Sequence, residues 1–288
     1  YSDDKITADQ VSGSTTLDPF LGFEYTAGSY TTNKTQAFAA FGSLTFELTD
    51  ALDIIGGIRY NYEDKSFLGD VVALNGFNFV TFDVRDFTEE DLSVPGTLAR
   101  FSVDPDFGNA REIVEDSESF EDVTWDVTLN WRPTEDVLLF AKVATGFRSG
   151  GYPSFITQPG TFTTLDPESV TSYEVGFKSE WADNTVRLNG AGYYMEYTDQ
   201  QVQTPNTMGP GLVITNAASS NIWGGELELE FAPTDEIRLW GNVGYTDAVF
   251  DDYSVEIVIP VAGGGVTTII EDYSGNPLPY APEWTAGF

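Results

Sequence analysis

The sequence predicts an all-β fold: part of the wall of a transmembrane antiparallel β-barrel, with short periplasmic turns and long extracellular loops. Three observations predict it. Long segments alternate apolar and polar residues, each segment has an apolar face without charge, and short and long connections take turns along the chain. A period of two residues is typical of strands, because successive side chains point to opposite faces of a sheet.

The alternating segments are longer than most soluble strands. Strands in soluble proteins average about five or six residues, whereas strands that cross a membrane need roughly nine to eleven. A ninth segment begins near residue 282 and the chain stops inside it. The predicted strands cover residues 37–48, 52–63, 123–131, 137–148, 173–181, 186–195, 223–231 and 236–246.

The connections between the predicted strands alternate in length. Short turns are predicted at 49–51, 132–136, 182–184 and 232–235, and long connections at 64–122, 149–172, 196–222 and 247–281. This rhythm is typical of an outer-membrane barrel, whose turns are short on one side and whose loops are long on the other. A secreted acidic β-sandwich that binds carbohydrate stays open as an alternative, because a sandwich shows the same alternation of residues.

The two faces of the predicted strands differ in charge. An Arg or Lys that faces lipid at mid-bilayer costs about 2–4 kcal/mol, so a lipid-facing wall should avoid these residues. Aromatic girdles are expected from Trp131, Trp181, Phe231 and Tyr245 near the short turns, and from Tyr60, Tyr62 and Phe147 near the long loops. The charged residues predicted to face the lumen are Arg59, Lys142, Glu174, Lys178, Arg187, Glu226, Glu228, Glu230 and Arg238.

Composition excludes several classes of function. The chain has neither Cys nor His, which removes disulfides, thiolate metal sites and the Ser-His-Asp arrangement, so no enzyme is expected. Its formal net charge of -33 makes nucleic acid an unlikely partner, since binding phosphates requires a basic surface. No apolar run is long enough for a transmembrane helix. The chain opens without a signal peptide and both ends lie inside patterns, so we expect a fragment of a longer protein.

The long loops carry acidic residues rather than a recognisable cofactor motif. Segment 83–122 is rich in Asp and Glu, but Glu89-Glu90-Asp91 and Asp251-Asp252 lack EF-hand spacing. No cofactor is therefore expected, apart from calcium bound loosely by such loops. The triple glycine 263–265 has no phosphate-loop motif after it. It is expected at the tip of a hairpin whose arms are 257–259 and 267–270.

Several segments resemble the barrel of TonB-dependent outer-membrane receptors. Alone each match is weak, but their order along the chain is the family's order, and residues 52–65 add a looser match. The segments are LFAKVATGFRSGGY (139–152), PESVTSYEVGFK (167–178), a strand ending in YYMEYTDQQV (193–202), NAA (216–218) followed by GGELE (224–228), and NPLPYAPEW (276–284).

The resemblance implies an architecture and a set of partners. Such receptors have a barrel of 22 strands plugged by an N-terminal domain. Residues 1–288 are therefore expected to be a partial barrel domain in the outer-membrane lipid, with the plug domain outside this chain. The plug, and through it the TonB-ExbB-ExbD complex, are the implied partners. The implied activity is import of a scarce extracellular nutrient, with a ferric siderophore favoured over carbohydrate or cobalamin, and a passive porin-like barrel as a further alternative.

The resemblance also suggests residues for the ligand and the plug. Arg148 is the leading candidate for ligand contact, because it points inward at the extracellular end and its guanidinium forks onto carboxylate or phenolate groups. The charged lumen residues are expected to pair with the plug. In particular, Glu226, Glu228 and Glu230 should have partners outside this chain. The ligand-contact candidates are Arg148, Tyr152, Gln200, Gln201, Gln203 and Asn216.

Overall fold

A computed structural model describes residues 2–8, 16–17, 24–75, 110–153, 162–205, 212–234, 236–260 and 266–288. Its regular elements are all strands, as the sequence predicts. No helix in this described part is long and apolar enough to span a membrane. The strands are β1 Ser2–Ala8, β2 Thr16–Leu17, β3 Glu24–Thr49, β4 Leu52–Asn75, β5 Ala110–Thr134, β6 Val137–Arg148, β7 Glu168–Trp181, β8 Val186–Pro205, β9 Leu212–Thr234, β10 Ile237–Pro260, β11 Val266–Asp272 and β12 Trp284–Gly287.

All strands belong to one antiparallel sheet. Its order is β1-β3-β4-β5-β6-β7-β8-β9-β10-β11, with β2 beside β3 and β12 beside β10. In the described sheet β1 and β11 are edges that do not pair with each other, so this part is an open wall. The predicted fold class is thus confirmed, and so is the ninth strand, which is β12.

The predicted bounds of several strands are too short, because the strands continue into the long connections. The ladder between β4 and β5 runs from Leu52↔Trp131 out to Ala73↔Ala110, so the predicted loop 64–122 is largely a two-stranded extension. The same holds for β8–β9 and for β10–β11. The contrast between an apolar and a charged face is lost there, while the backbone hydrogen bonds continue. Residues 76–109, which include Glu89, Glu90 and Asp91, lie outside the described part.

The hairpin predicted in the last long connection is confirmed in its arms. Ile257 pairs with Ile269 and Val258 with Thr268. The glycines 263–265 lie outside the described residues. Residues 274–283 then run back along β10, with Val249↔Pro277 as an isolated bridge, and lead into β12.

The sheet register places the charged residues that were predicted to face the lumen on one face. Lys142 is opposite Glu174, Arg187 is opposite Glu180 on one side and Glu230 on the other, and Arg59 is opposite Thr124. Since side chains alternate, these positions share a face, which we call the polar face. The other, apolar face exposes large hydrophobic side chains, such as Leu44 at 66% and Val175 at 61%. So much exposed apolar surface is typical of a wall that faces lipid.

One girdle assignment needs correction. Tyr245 is not near a short turn, because β10 begins at Ile237 and Tyr245 lies eight residues further along. Its ring instead contacts Trp223 (centroids 5.4 Å apart) and Trp284 (4.9 Å) on the apolar face. Tyr194, opposite Trp223, and Tyr173, whose ring centroid is 6.3 Å from that of Tyr194, continue the row. These five residues form an aromatic row toward the loop side of the wall.

Candidate functional site

The candidate site lies on the polar face, where the chain leaves β6 and folds back over β4 and β5. Lys65 is the centre of this fold. Its ammonium donates hydrogen bonds to Ser149 Oγ and to the carbonyl of Gly150 (2.7 Å), and it pairs with Glu63 at 3.1 Å. Ser149 Oγ in turn donates to Glu63 Oε2 at 2.6 Å. All three ammonium donors of Lys65 are thus used to hold the segment 149–150 against β4.

The two glycines after Ser149 are required by the closeness of this fold. A Cβ on Gly150 would overlap the carbonyl of Leu165 and the ring of Phe120. Gly151 has φ +151° and exchanges two backbone hydrogen bonds of 2.8 Å with Leu165. Side chains rarely adopt that φ, so glycine is favoured. The glycine pair therefore lets the chain before and after residues 154–161 lie together on the sheet.

Three aromatic rings secure the fold further out. Phe67 is 2% exposed, and its centroid lies 5.3 Å from that of Tyr152 and 5.2 Å from that of Phe162. Tyr152 and Phe162 stack at 5.9 Å. Ring pairs at such separations are favourable beyond the area they bury. Phe67 is the most buried large side chain here, so this cluster is the apolar anchor of the site.

Glu168 joins β6, β7 and β8 at the other side of the site. It is 4% exposed and accepts hydrogen bonds from Arg148 (3.3 Å), from the hydroxyl of Tyr197 (2.7 Å) and from the backbone N–H of Gln201 (2.8 Å). A buried carboxylate needs such donors, because an unpaired buried charge is costly. Glu168 therefore holds the Arg148 guanidinium and the backbone of Gln201 in place.

A cleft of about 410 Å³ opens between these two groups of contacts. It contains four of the six predicted ligand residues, namely Arg148, Tyr152, Gln201 and Gln203. The remaining lining comes from β3, β4, β9 and the folded-back segment. The described lining contains no Asp or Glu, in a chain that is otherwise strongly acidic. The full lining is Asn33, Lys34, Thr35, Lys65, Arg148, Ser149, Gly150, Gly151, Tyr152, Pro153, Leu165, Gln201, Gln203 and Ile214.

The six predicted residues differ in what they can still bind. The Arg148 side chain is 67% exposed despite its bond to Glu168, so most of its donors face the cleft. Gln203 is exposed as well. Gln201 Nε2 donates to the carbonyls of Ser149 (3.3 Å) and Asp166 (3.1 Å), which leaves its amide oxygen as the group for a ligand.

Asn216 and Gln200 lie beside the cleft rather than in its lining. Asn216 Nδ2 donates to the carbonyls of Asp166 (2.8 Å) and Asp199 (2.7 Å), and its Oδ1 accepts from the N–H of Asp166 (2.9 Å). Asn216 is thereby a brace between β9 and the start of β7. Gln200 sits at a bulge of β8 and its buried Oε1 has no hydrogen-bond partner among the described residues.

Burial raises the pKa of the Tyr152 phenol to about 12, with help from the nearby carboxylates of Asp116 and Glu118. At neutral pH the Tyr152 side chain is therefore uncharged.

The sequence analysis gave no role in the site to Lys65, Phe67, Ser149 or Glu168. Glu168 and Ser149 lie inside the segments that resemble the receptor family, so that resemblance could have indicated a role for them. Lys65 and Phe67 lie in what looked like a loop, because their strand extends past the apolar alternation. Only the register of β4 shows that their side chains share the polar face with Glu63.

The charged residues nearer the short turns partly neutralise one another. Glu230 pairs with Arg187 (3.4 Å) and with Arg238 (3.0 Å), and Glu228 accepts from Asn189 (3.2 Å). The expectation that the three glutamates find partners only outside this chain is therefore wrong for Glu228 and Glu230. Arg59 donates to Asn61 (2.6 Å) and lies over the ring of Phe41 (5.9 Å).

No group of three or more acidic side chains in the described residues could hold a metal ion. This part of the chain includes Asp251 and Asp252, but not Glu89, Glu90 and Asp91. Loop-bound calcium thus stays an untested expectation for the acidic segment near residue 90.

Comparison with protein families shows which family this sheet belongs to. The sequence model for TonB dependent receptor-like β-barrels matches residues 1–288. The chain belongs to this family. The resemblance noted in the sequence is therefore confirmed, and the open sheet is a part of a TonB-dependent receptor barrel.

Curated relatives of this receptor chain are also named as receptors. The pesticin receptor of Yersinia pestis is 26% identical over 262 residues, which are 90% of this chain and 30% of the relative. A probable TonB-dependent siderophore receptor of Acinetobacter baumannii is 25% identical over 169 residues, 57% of this chain and 21% of the relative. The chain thus spans about a third or less of the relatives that it matches.

Solved structures agree on the fold. The ferric yersiniabactin uptake receptor of Yersinia pestis superposes with a TM-score of 0.57 at 20% identity, covering 85% of this chain and 34% of that one. The ferric-catecholate import receptor of E. coli K12 gives a TM-score of 0.58 at 16% identity, covering 89% and 32%. At these identities the likeness shows the receptor's barrel fold alone.

Proposed function

We propose that this receptor chain is part of an outer-membrane importer of a ferric siderophore and that the cleft at Arg148 contacts the ligand. The carrying observation is that cleft: about 410 Å³, on the polar face, lined by donors and without an acidic side chain among its described residues. One curated relative supports the ligand class, since it is named a probable TonB-dependent siderophore receptor.

The proposed site suits an oxygen-rich ligand. Ferric chelates present carboxylate, phenolate or hydroxamate oxygens, and the guanidinium of Arg148 offers several parallel N–H donors to them. The buried Glu168 binds this guanidinium through one nitrogen and leaves most of the Arg148 side chain exposed. The aromatic anchor at Phe67 keeps the opposite wall of the cleft in place.

The location and partners belong to the same proposal. The apolar face meets outer-membrane lipid, and the polar face surrounds a plug domain that TonB-ExbB-ExbD energises. Arg59, Lys142, Lys178 and Glu174 are the polar-face groups that we assign to plug or lumen water, together with Glu226. The membership in the family and the charge difference between the two faces support this arrangement.

The test measures TonB-dependent uptake of radiolabelled nutrients into cells that carry the intact receptor gene or lack it. A panel of ferric catecholate, hydroxamate and phenolate chelates is supplied, with cyanocobalamin and maltodextrin as alternative nutrients. We expect receptor-dependent uptake of at least one ferric chelate. Receptor-dependent uptake of only cobalamin or maltodextrin would replace the siderophore proposal, and uptake that persists without TonB would favour a passive barrel.

The Arg148→Gln variant then tests the site. We expect its apparent affinity for the imported chelate to fall about tenfold or more, because a hydrogen bond to a charged group contributes roughly 1.5–3 kcal/mol. Arg238→Gln is the matched control, since Arg238 lies on the same polar face near the short turns. Equal affinities of the two variants would remove Arg148 from the ligand site.

A further inference from the structure

Two cations of the Arg148 cleft are already paired with carboxylates of this chain. Arg148 binds the buried Glu168 at 3.3 Å, and Lys65 pairs with Glu63 at 3.1 Å. Because each pair is neutral as a unit, neither cation attracts an anion over distance as a free cation would. Lys34 is the third cation of the described lining. The exposed part of Arg148 can therefore donate hydrogen bonds to a ligand, but the two pairs add no net positive charge to the cleft.

Further carboxylates lie beside the apolar anchor at Phe67. Asp116 is opposite Phe67 in the register of β4 and β5, and Glu118 lies two positions further along β5, so both side chains are on the polar face. Burial, and then the negative charges of Asp116, Glu118 and Asp64, raise the pKa of the Tyr152 phenol. Since Tyr152 lines the cleft, these three carboxylates act on the cleft although none of them belongs to its described lining.

The balance of charge at the cleft is therefore negative. Its cations are outnumbered by the carboxylates around them, and the net charge of the whole chain, -33, acts in the same direction. A strongly anionic ligand would be repelled here, because like charges that are brought together at an interface oppose binding. The cations of the described lining are Lys34, Lys65 and Arg148, and the carboxylates are Glu63, Asp64, Asp116, Glu118 and Glu168.

The polar groups of the cleft suit a ligand with oxygens and N–H groups but no excess negative charge. Arg148 donates to oxygen, and Gln201 Nε2 already donates to two backbone carbonyls, which leaves Gln201 Oε1 to accept from a ligand N–H group. Ferric trihydroxamates meet both needs. Each hydroxamate brings one negative charge to Fe³⁺, so the chelate is neutral, and its linkers carry amide N–H groups. Catecholates bring twice that charge, so a ferric tris-catecholate is strongly anionic.

We propose that the cleft selects a ferric trihydroxamate of zero or positive net charge over an anionic chelate. This selectivity rests on the import of a ferric siderophore proposed above, and it names the charge class of that ligand. Asp116 and Glu118 are then specificity-determining residues, which weaken the binding of anionic chelates without touching the ligand.

The experiment compares chelates that differ in charge but share their iron-binding groups. The intact receptor is purified in detergent, and its affinity for ferrioxamine B, which is cationic, is measured by quenching of tryptophan fluorescence. The N-acetyl derivative of the same chelate is neutral and the N-succinyl derivative is anionic, while ferric enterobactin is the tris-catecholate. We expect the cationic and neutral chelates to bind about tenfold or more tightly than either anionic chelate, and high salt to reduce this preference.

Two variants assign the preference to the named carboxylates. Asp116→Asn combined with Glu118→Gln should raise the affinity for the N-succinyl chelate about tenfold and leave that for the N-acetyl chelate unchanged, because only the anionic chelate is repelled. Glu115→Gln is the matched control, since Glu115 is exposed on the same strand with its side chain on the opposite face, and it should bind like the wild type.

The possible failures are distinguishable. Tighter binding of an anionic chelate by the wild type, an unchanged preference in the double variant, or binding of none of the ferrioxamines would overturn the charge selectivity alone, provided that cells import some ferric chelate through the receptor. Absence of receptor-dependent import of every ferric chelate would overturn the proposed function, and the charge selectivity with it.

Discussion

At the scale of single residues, the amino acids of segment 147–152 can be explained by the way the backbone folds back onto the sheet after β6. Arg148 reaches Glu168, Ser149 reaches Lys65 and Glu63, and Gly150 and Gly151 allow the close approach to Leu165. Most residues of the motif that resembles the receptor family are therefore needed for this local backbone fold. Of these residues only Arg148 keeps most of its side chain exposed.

Lys65 makes a residue-scale prediction about the folded-back segment. Lys65→Met removes two hydrogen bonds and leaves Glu63 without its cation. We expect hydrogen exchange of the Gly151 amide, which donates to the carbonyl of Leu165, to become roughly ten- to a hundredfold faster, because hydrogen bonds to charged groups contribute about 1.5–3 kcal/mol each. Lys178→Met is the control, since Lys178 lies on the same polar face near the short turn that precedes β6. Equal exchange in both variants would show that Lys65 does not hold the segment.

At the scale of elements, the sequence predicts the membrane-crossing part of each strand better than its full length. The segment 52–63 appears as the first half of β4, which continues to Asn75. Apolar and polar residues alternate where one face of a strand meets lipid and the other carries charge. The alternation ends where the strand leaves the lipid. The outer half of β4 is held instead by pairs such as Phe67↔Asp116, which have no periodic signature. The site residues Lys65 and Phe67 lie in that half, so the sequence could not place them.

The ladder β8–β9–β10 makes an element-scale prediction. Glu230 is shared by Arg187 and Arg238 from the two flanking strands, whereas Glu226 lies two positions further along the same face. Glu230→Gln leaves two guanidiniums without their shared carboxylate. We expect it to lower the melting temperature of the receptor more than Glu226→Gln does, as followed by circular dichroism. High salt should reduce the difference, because these ion pairs are exposed. A larger effect of Glu226→Gln would mean that its partner, such as a plug residue, matters more.

At the scale of the whole molecule, fold class and family could be predicted from the sequence because both depend on repeated features. Each strand repeats the same contrast between faces, and five family-like segments occur in order. The cleft could be predicted only in part, because its residues come from separate parts of the chain: Arg148 ends β6, Tyr152 lies in the segment after it, and Gln201 and Gln203 lie on β8. They meet through the register of the sheet and the fold of 149–153 onto β4, and neither leaves a pattern in local sequence.

The orientation of the wall makes the last prediction, and the chain suits its test because it contains no Cys. Ser117 is exposed on the extension of β5 and Glu135 is exposed in the short turn between β5 and β6, at opposite ends of one strand. If the long extensions are extracellular, Ser117→Cys in intact cells should react with a membrane-impermeant maleimide, and Glu135→Cys should react only after the outer membrane is permeabilised. The reverse pattern would invert the wall and place the Arg148 cleft in the periplasm. Labelling of both sites in intact cells would mean that this sheet does not separate two compartments.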